Sequence, residues 1–209
     1  MQIDTGYGPA AAELDGPARA KFLLVLTHGA GGGVDSADLL AARDAGLSAG
    51  GAVARVLQPY RVRGASAPGS PQRQDAAWLE IIAALRDRYP RGPLVQGGRS
   101  TGARVACRTA GAAGAAAVRA LAFPLHPPGR PDKSRADELR AAGVDVLVIN
   151  GDRDPFGIPD RADAARVVVL AGQTHALSGA ARLIEREVIA WLGAVLAGGR
   201  AVSKRARRA

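Results

Sequence analysis

Six short, almost wholly apolar runs, separated by segments of helical periodicity, constrain this chain more than any other feature. They are Lys21–Thr27, Val53–Tyr60, Leu94–Gly97, Val118–Leu125, Val144–Ile149 and Val167–Leu170. A strand that is apolar on both faces is buried on both, the pattern of a parallel sheet covered by helices. Helices are expected over Ser36–Leu47, with Asp35 or Ser36 as cap, over Gln72–Tyr89, and from just after Ser100 to about Ala110. Two more are expected over Pro131–Ala142, closed by Gly143, and over Leu183–Leu196. The clearest is Gln72–Tyr89: Trp78, Ile81, Ile82, Leu85 and Tyr89 form one apolar stripe, and Pro90 ends it. Strands alternating with helices through right-handed crossovers predict an α/β fold with a mostly parallel central sheet and helices on both faces. One or two short edge strands fit within the first twenty residues.

At 209 residues, 47% of them hydrophobic, the chain can build one core, and disorder throughout is excluded. Residues 1–199 are expected to form a single domain, and residues 200–209 a basic, disordered tail. That tail matters for the net charge of +9, because Arg200, Lys204, Arg205, Arg207 and Arg208 fall within it. The body is only mildly basic, so no specific nucleic-acid partner is expected. A lone cysteine, Cys107, excludes an internal disulfide framework and reads as a small buried hydrophobe. No basic start leads into a long apolar run, and Phe22–Leu26 is too short to cross a bilayer. A cytoplasmic protein without membrane association is expected.

Chemistry concentrates at Gly98-Arg99-Ser100-Thr101-Gly102, a G-x-S-x-G pentapeptide with an apolar strand before it and a helix after it. A sharp strand-to-helix turn lifts the serine hydroxyl above the sheet and aims the first helical N–H groups at the same space. A serine in that setting needs a base, and the base needs an orienting carboxylate. Only His28, His126 and His175 are available. His175 alone follows both the serine and a strand-end acid, in the loop after the last strand. The acid lies in Asn150-Gly151-Asp152-Arg153-Asp154-Pro155, and Asp154 is chosen over Asp152 because it sits deeper in a turn that Pro155 fixes. The run Thr27-His28-Gly29-Ala30-Gly31-Gly32-Gly33 follows the first strong strand. Its glycines suit a loop that offers a main-chain N–H to an oxyanion, with Ala30 and Thr101 as the donor pair. The run matches neither glycine-rich nucleotide motif. His28, Tyr60, His126 and Phe156 stand at strand ends on the same side and are candidates to line a substrate pocket. Neither a metal nor an organic cofactor is called for.

Four segments carry a resemblance: L-T-H-G-A-G-G-G from Leu26, G-G-R-S-T-G from Gly97, F-P-L-H-P-P-G from Phe123 and G-D-R-D-P-F-G from Gly151. Together they are similar to α/β-hydrolases of the testis-expressed protein 30 group, distantly related to dienelactone-hydrolase-like enzymes. The likeness runs from Lys21 to Leu196. It implies a minimal α/β-hydrolase fold without a cap, and Ser100, Asp154 and His175 as a catalytic triad. Thr101 departs from it, standing where that group carries Met, and Ala103 stands where a second glycine is common.

The expected activity is acyl transfer to water from a small ester or thioester through an acyl-enzyme. A site without a sizeable insertion over it should be shallow and open. The competing expectation is a non-catalytic module of the same fold that binds a protein or, through the basic tail, an anionic partner. Oligomeric state is not legible in the sequence.

Overall fold

In the computed structural model residues 1–206 are described, those from residue 199 onward by their backbone alone. The chain enters through two short strands, β1 (Gln2–Ile3) and β2 (Ala10–Asp15), then forms β3 (Leu23–Thr27), α1 (Ala37–Ser48) and β4 (Ala52–Leu57). A single helical turn, α2 (Pro59–Val62), leads to α3 (Pro71–Arg88), β5 (Leu94–Arg99), α4 (Thr101–Thr109) and β6 (Ala117–Leu121). The remainder is α5 (Ala136–Arg140), β7 (Asp145–Gly151), β8 (Arg166–Leu170) and α6 (Ala181–Ala206). The eight strands form one sheet in the order β1-β2-β4-β3-β5-β6-β7-β8. Pairing is parallel from β4 through β8, while β1 and β2 are the antiparallel edge. The sheet is thus mostly parallel, as the apolar runs implied.

Each central strand is apolar throughout because it serves two cores. Leu23 and Val25 of β3 pack with Trp78, Ile81, Ile82 and Leu85 of α3 and with Val105 and Ala106 of α4. Leu24 and Leu26 turn the other way, toward Leu39 and Ala42 of α1 and Ile184, Val188 and Trp191 of α6. Alternate side chains leave a strand on opposite faces, so burying both requires a continuous apolar run. One polar pin crosses the first layer. The Trp78 indole donates to Gln96 Oε1 at 2.9 Å, and Gln96 Nε2 donates to the Ala106 carbonyl at 2.7 Å.

Several expected boundaries are corrected, each for a local reason. The strand expected to reach Leu125 stops at Leu121. Ala122 takes a positive φ of 45°, and the Asn150 amide captures both Phe123 backbone groups at 2.9 and 3.0 Å. The strand expected to reach Tyr60 stops at Leu57, because the Gln58 N–H is drawn out of the ladder to His28 Nε2 at 3.0 Å. The helix expected over Pro131–Ala142 shrinks to Ala136–Arg140. Ahead of it the Arg135 N–H bonds the Leu125 carbonyl at 2.7 Å, which turns the chain before helix can form. Ser36 occupies the cap position of α1 without a capping hydrogen bond, whereas Ser70 caps α3 by accepting from the Arg73 N–H at 3.4 Å. The backbone of α6 is helical as far as Ala206. Side chains from residue 199 onward and residues 207–209 fall outside the described residues, so of the tail expected at 200–209 only the backbone of residues 200–206 is described. Among the described residues no helix is long and apolar enough to cross a membrane. Among the described residues no cap domain stands over the sheet: the one helix between β6 and β7 is the five-residue α5.

Candidate active site

Ser100 sits between the end of β5 and the start of α4 with φ 52° and ψ −115°, a left-handed conformation that a non-glycine residue adopts only under strain. The surrounding structure enforces it: the Ser100 N–H donates to the Leu121 carbonyl at 2.9 Å, and its own carbonyl receives the Arg104 N–H at 3.2 Å. The flanking glycines are there for space. A Cβ on Gly98 would stand 2.6 Å from the Thr27 carbonyl oxygen, and one on Gly102 would stand 2.7 Å from the Thr27 and His28 carbonyl oxygens. The neighbouring strand therefore passes so close that any side chain at either position would push it away.

His175 arrives from the opposite direction, in the turn between β8 and α6. Its Nε2 lies 3.0 Å from Ser100 Oγ, across 75 residues of sequence. Its Nδ1 lies 2.8 Å from Asp154 Oδ2. A carboxylate only accepts, so Nδ1 carries the proton and Nε2 is left as the acceptor for the serine hydroxyl. The carboxylate of Asp154 is fully buried, and its other oxygen accepts the Phe156 N–H at 2.9 Å. Asp152 is exposed and takes no part. The Phe156 ring packs on the imidazole, with centroids 4.2 Å apart. Ser100, Asp154 and His175 are thus brought into one hydrogen-bonded chain at the carboxyl ends of β5 and β7, where ligands meet sheets of this kind.

The glycine-rich loop after β3 closes over the same point. A Cβ on Gly29 would stand 3.2 Å from the Ser100 Cβ, so the loop backbone lies directly against the serine. Among the described residues, the N–H groups of Ala30 and Thr101 have no acceptor within the fold. Three of the pocket candidates brace the fold around the site. His28 is fully buried: Nδ1 donates to the Gly29 carbonyl at 2.8 Å, and Nε2 accepts from Gln58. Burial holds its pKa below the ordinary histidine value, so it is a neutral pin at the root of the loop. Tyr60 is also buried, and its hydroxyl donates to the Ala30 carbonyl at 3.0 Å; burial raises its pKa to about 12. Tyr60 thus holds the loop through the Ala30 carbonyl. His126 donates from Nδ1 to the Pro127 carbonyl at 2.9 Å, and its ring lies where a Gly157 side chain would otherwise be. It shapes the turn that carries Asp154. Cys107 is buried, and burial pushes its thiol up to about 12.

Three residues escaped the sequence reading. Arg99 sends Nε to Asp38 Oδ2 at 2.9 Å and Nη2 to the backbone carbonyl of His175 at 2.7 Å. Asp38, the second residue of α1, is completely buried and looks in sequence like an ordinary acid near a helix start. Asn150 ties the Asp154 turn to Phe123 through the hydrogen bonds described above. Nothing in periodicity or motif spacing marks any of them, because each acts on a distant segment.

No curated protein matches the chain by sequence. Solved structures of similar fold include an alpha-beta serine hydrolase homologue from Coxiella burnetii, 16% identical with a TM-score of 0.77, covering 92% of this chain and 96% of that one. A serine hydrolase without a lid from Xanthomonas campestris is 20% identical with a TM-score of 0.69, covering 90% and 93%. A dienelactone hydrolase from Anabaena variabilis is 18% identical with a TM-score of 0.71, covering 91% and 94%. At such identities the likeness is one of fold. A family profile described as an alpha/beta hydrolase domain matches residues 20–180. That match spans well over half of the chain, which therefore belongs to the alpha/beta hydrolase family.

Proposed function

We propose that this chain is a serine hydrolase that cleaves esters or thioesters of small acyl groups through an acyl-enzyme. The observation that carries the reading is the unbroken relay from Ser100 Oγ through the His175 imidazole to the buried Asp154 carboxylate, at 3.0 and 2.8 Å. In the first half-reaction His175 Nε2 takes the hydroxyl proton as Oγ attacks the carbonyl carbon. Asp154 holds the imidazole in the right tautomer and balances its transient charge. The carbonyl oxygen, now negative, is received by the unpaired N–H groups of Ala30 and Thr101, the latter at the start of α4 where the helix dipole favours an anion. The imidazolium then returns its proton to the leaving alcohol or thiol. In the second half-reaction water gives a proton to the same nitrogen as its oxygen attacks the acyl carbon; the bond to Oγ then breaks, the imidazolium returns the proton to Oγ, and the acid leaves.

Substrate size follows from the absence of a cap and from the shortness of α5. Among the described residues nothing over the sheet would surround a long acyl chain, so binding energy would come from the few groups beside the relay. The Phe156 ring, packed on the imidazole, offers an apolar surface beside the base. The serine-hydrolase and dienelactone-hydrolase names of the structural neighbours favour the same reaction class.

The test is covalent labelling with a fluorophosphonate, followed by hydrolysis of short p-nitrophenyl esters and acyl thioesters. Wild-type protein should be labelled at one residue, and Ser100→Ala should be neither labelled nor active, with kcat down by about 10⁴-fold or more. Equal labelling of both proteins would remove Ser100 from the chemistry and favour a binding module of the same fold.

A further inference from the structure

Arg99, between Gly98 and the serine, has no part in the proton relay, yet its guanidinium joins three separate elements of the site. We propose that Arg99, held by the buried carboxylate of Asp38, is the positioning residue that places His175 over the nucleophile. The proposal rests on the serine-hydrolase reading above.

The geometry is specific to a guanidinium. Nε donates to Asp38 Oδ2 at 2.9 Å while Nη2 donates to the His175 carbonyl at 2.7 Å. The third nitrogen, Nη1, lies 3.4 Å from where a Gly29 Cβ would be, against the loop offered to the oxyanion. One rigid planar group thus spans α1, the histidine turn and the glycine loop, which a single ammonium cannot do. Its anchor is firm. Asp38 is fully buried, its Oδ1 accepts the Leu39 N–H at 2.9 Å, and α1 packs against both the sheet and α6. A carboxylate without water is costly to keep charged unless it is paired, and Arg99 is the pair.

The histidine turn needs such a hold. Most of residues 171–179 are exposed. Two of their backbone bonds are local, Gln173 to Leu170 at 3.4 Å and Leu177 to Thr174 at 3.1 Å; the longer-range one, from the Arg153 N–H to the Gln173 carbonyl at 2.9 Å, stops two residues short of His175. The bond from Arg99 fixes the carbonyl of His175 itself, and its donor is the residue adjoining the serine. Nucleophile and base are therefore referenced to each other through one side chain. A misplacement of about 1 Å between reacting groups costs about 10²-fold in rate, so a loosened turn should be seen in kcat. Replacing Arg99 leaves the buried Asp38 carboxylate without its ion pair, so the folding of each variant is read alongside its rate.

The experiment compares Arg99→Lys and Arg99→Met with wild type and Ser100→Ala. Each is assayed on p-nitrophenyl acetate, with active sites counted by fluorophosphonate titration and folding followed by circular dichroism. Per titrated site, R99K should lose about 10-fold in kcat and R99M about 10²-fold, with KM changed less than about twofold. Guanidinium ion at non-denaturing concentration should restore part of the R99M rate and none of that of S100A. Wild-type kcat per titrated site in either variant would overturn the proposal, as would failure of R99K to fold, which would make the pair a stability device. If S100A were as active as wild type, the serine-hydrolase reading itself would fall, whatever Arg99 did.

Discussion

The serine turn and the histidine turn meet at one hydrogen bond, yet they are built in opposite ways. Around Ser100 the backbone is pinned on both sides by neighbouring strands, and Gly98 and Gly102 lie so close to Thr27 and His28 that no side chain fits. Around His175 the chain is largely exposed, its glycine at 172 has open space around it, and the residue is held by side chains: Asp154, Arg99 and the Phe156 ring. The first turn stores strain in a rigid wall. The second is aimed by a few replaceable contacts. A nucleophile must be fixed against an attacked carbon, whereas a base that serves two half-reactions needs an orientation held firmly but locally. Changes near Ser100 should therefore cost the fold, and changes around His175 should cost the rate.

With the nucleophile left in place, the largest expected effect lies on the histidine side. Asp154→Asn should lower kcat by about 10⁴-fold, because the amide cannot hold the Nδ1–H tautomer. Asp152→Asn, at an exposed position in the same turn, should stay within twofold of wild type. Steady-state hydrolysis of the best ester checks both, and comparable losses in the two would erase the distinction between the aspartates. Next comes a paired glycine test read by thermal or urea unfolding. Gly102→Ala should destabilise by about 4 kcal/mol or more, the range reserved for severe core disruption. Gly172→Ala, with φ 73° but nothing within 4 Å, should cost only about 1–2 kcal/mol of backbone strain. Equal losses would show that the two turns are equally rigid. The smallest effect should come from Phe156→Ala. Losing a ring contact worth about 0.5–1.5 kcal/mol should lower kcat by about 2- to 12-fold while leaving fluorophosphonate labelling complete. A larger fall would mean that the ring does more than steady the imidazole.

The parallel sheet was legible because both of its faces are buried, so its strands announce themselves as unbroken apolar runs. The serine turn was legible because its chemistry is local: strand, glycine, serine, glycine and helix are all in one pentapeptide. Asp154 could be preferred to Asp152 from turn chemistry alone, and the structure buries the former and exposes the latter. Less legible were the strand ends. Val118–Leu125 reads as one apolar strand, yet Asn150 takes the Phe123 backbone out of the ladder, and nothing near Phe123 signals this.

The amino-acid order alone therefore determined the class of fold, the place of the serine and which groups were available to serve it, since each of these depends on neighbours along the chain. Tertiary structure decided how those groups are used. It made His28 and Tyr60 into buried braces of the glycine loop, and it gave Arg99 and Asp38 their contacts. The reason is physical: a hydrogen bond acts over about 3 Å, and its partner here lies some 20 to 80 residues away, in segments whose closeness exists only once the sheet has assembled.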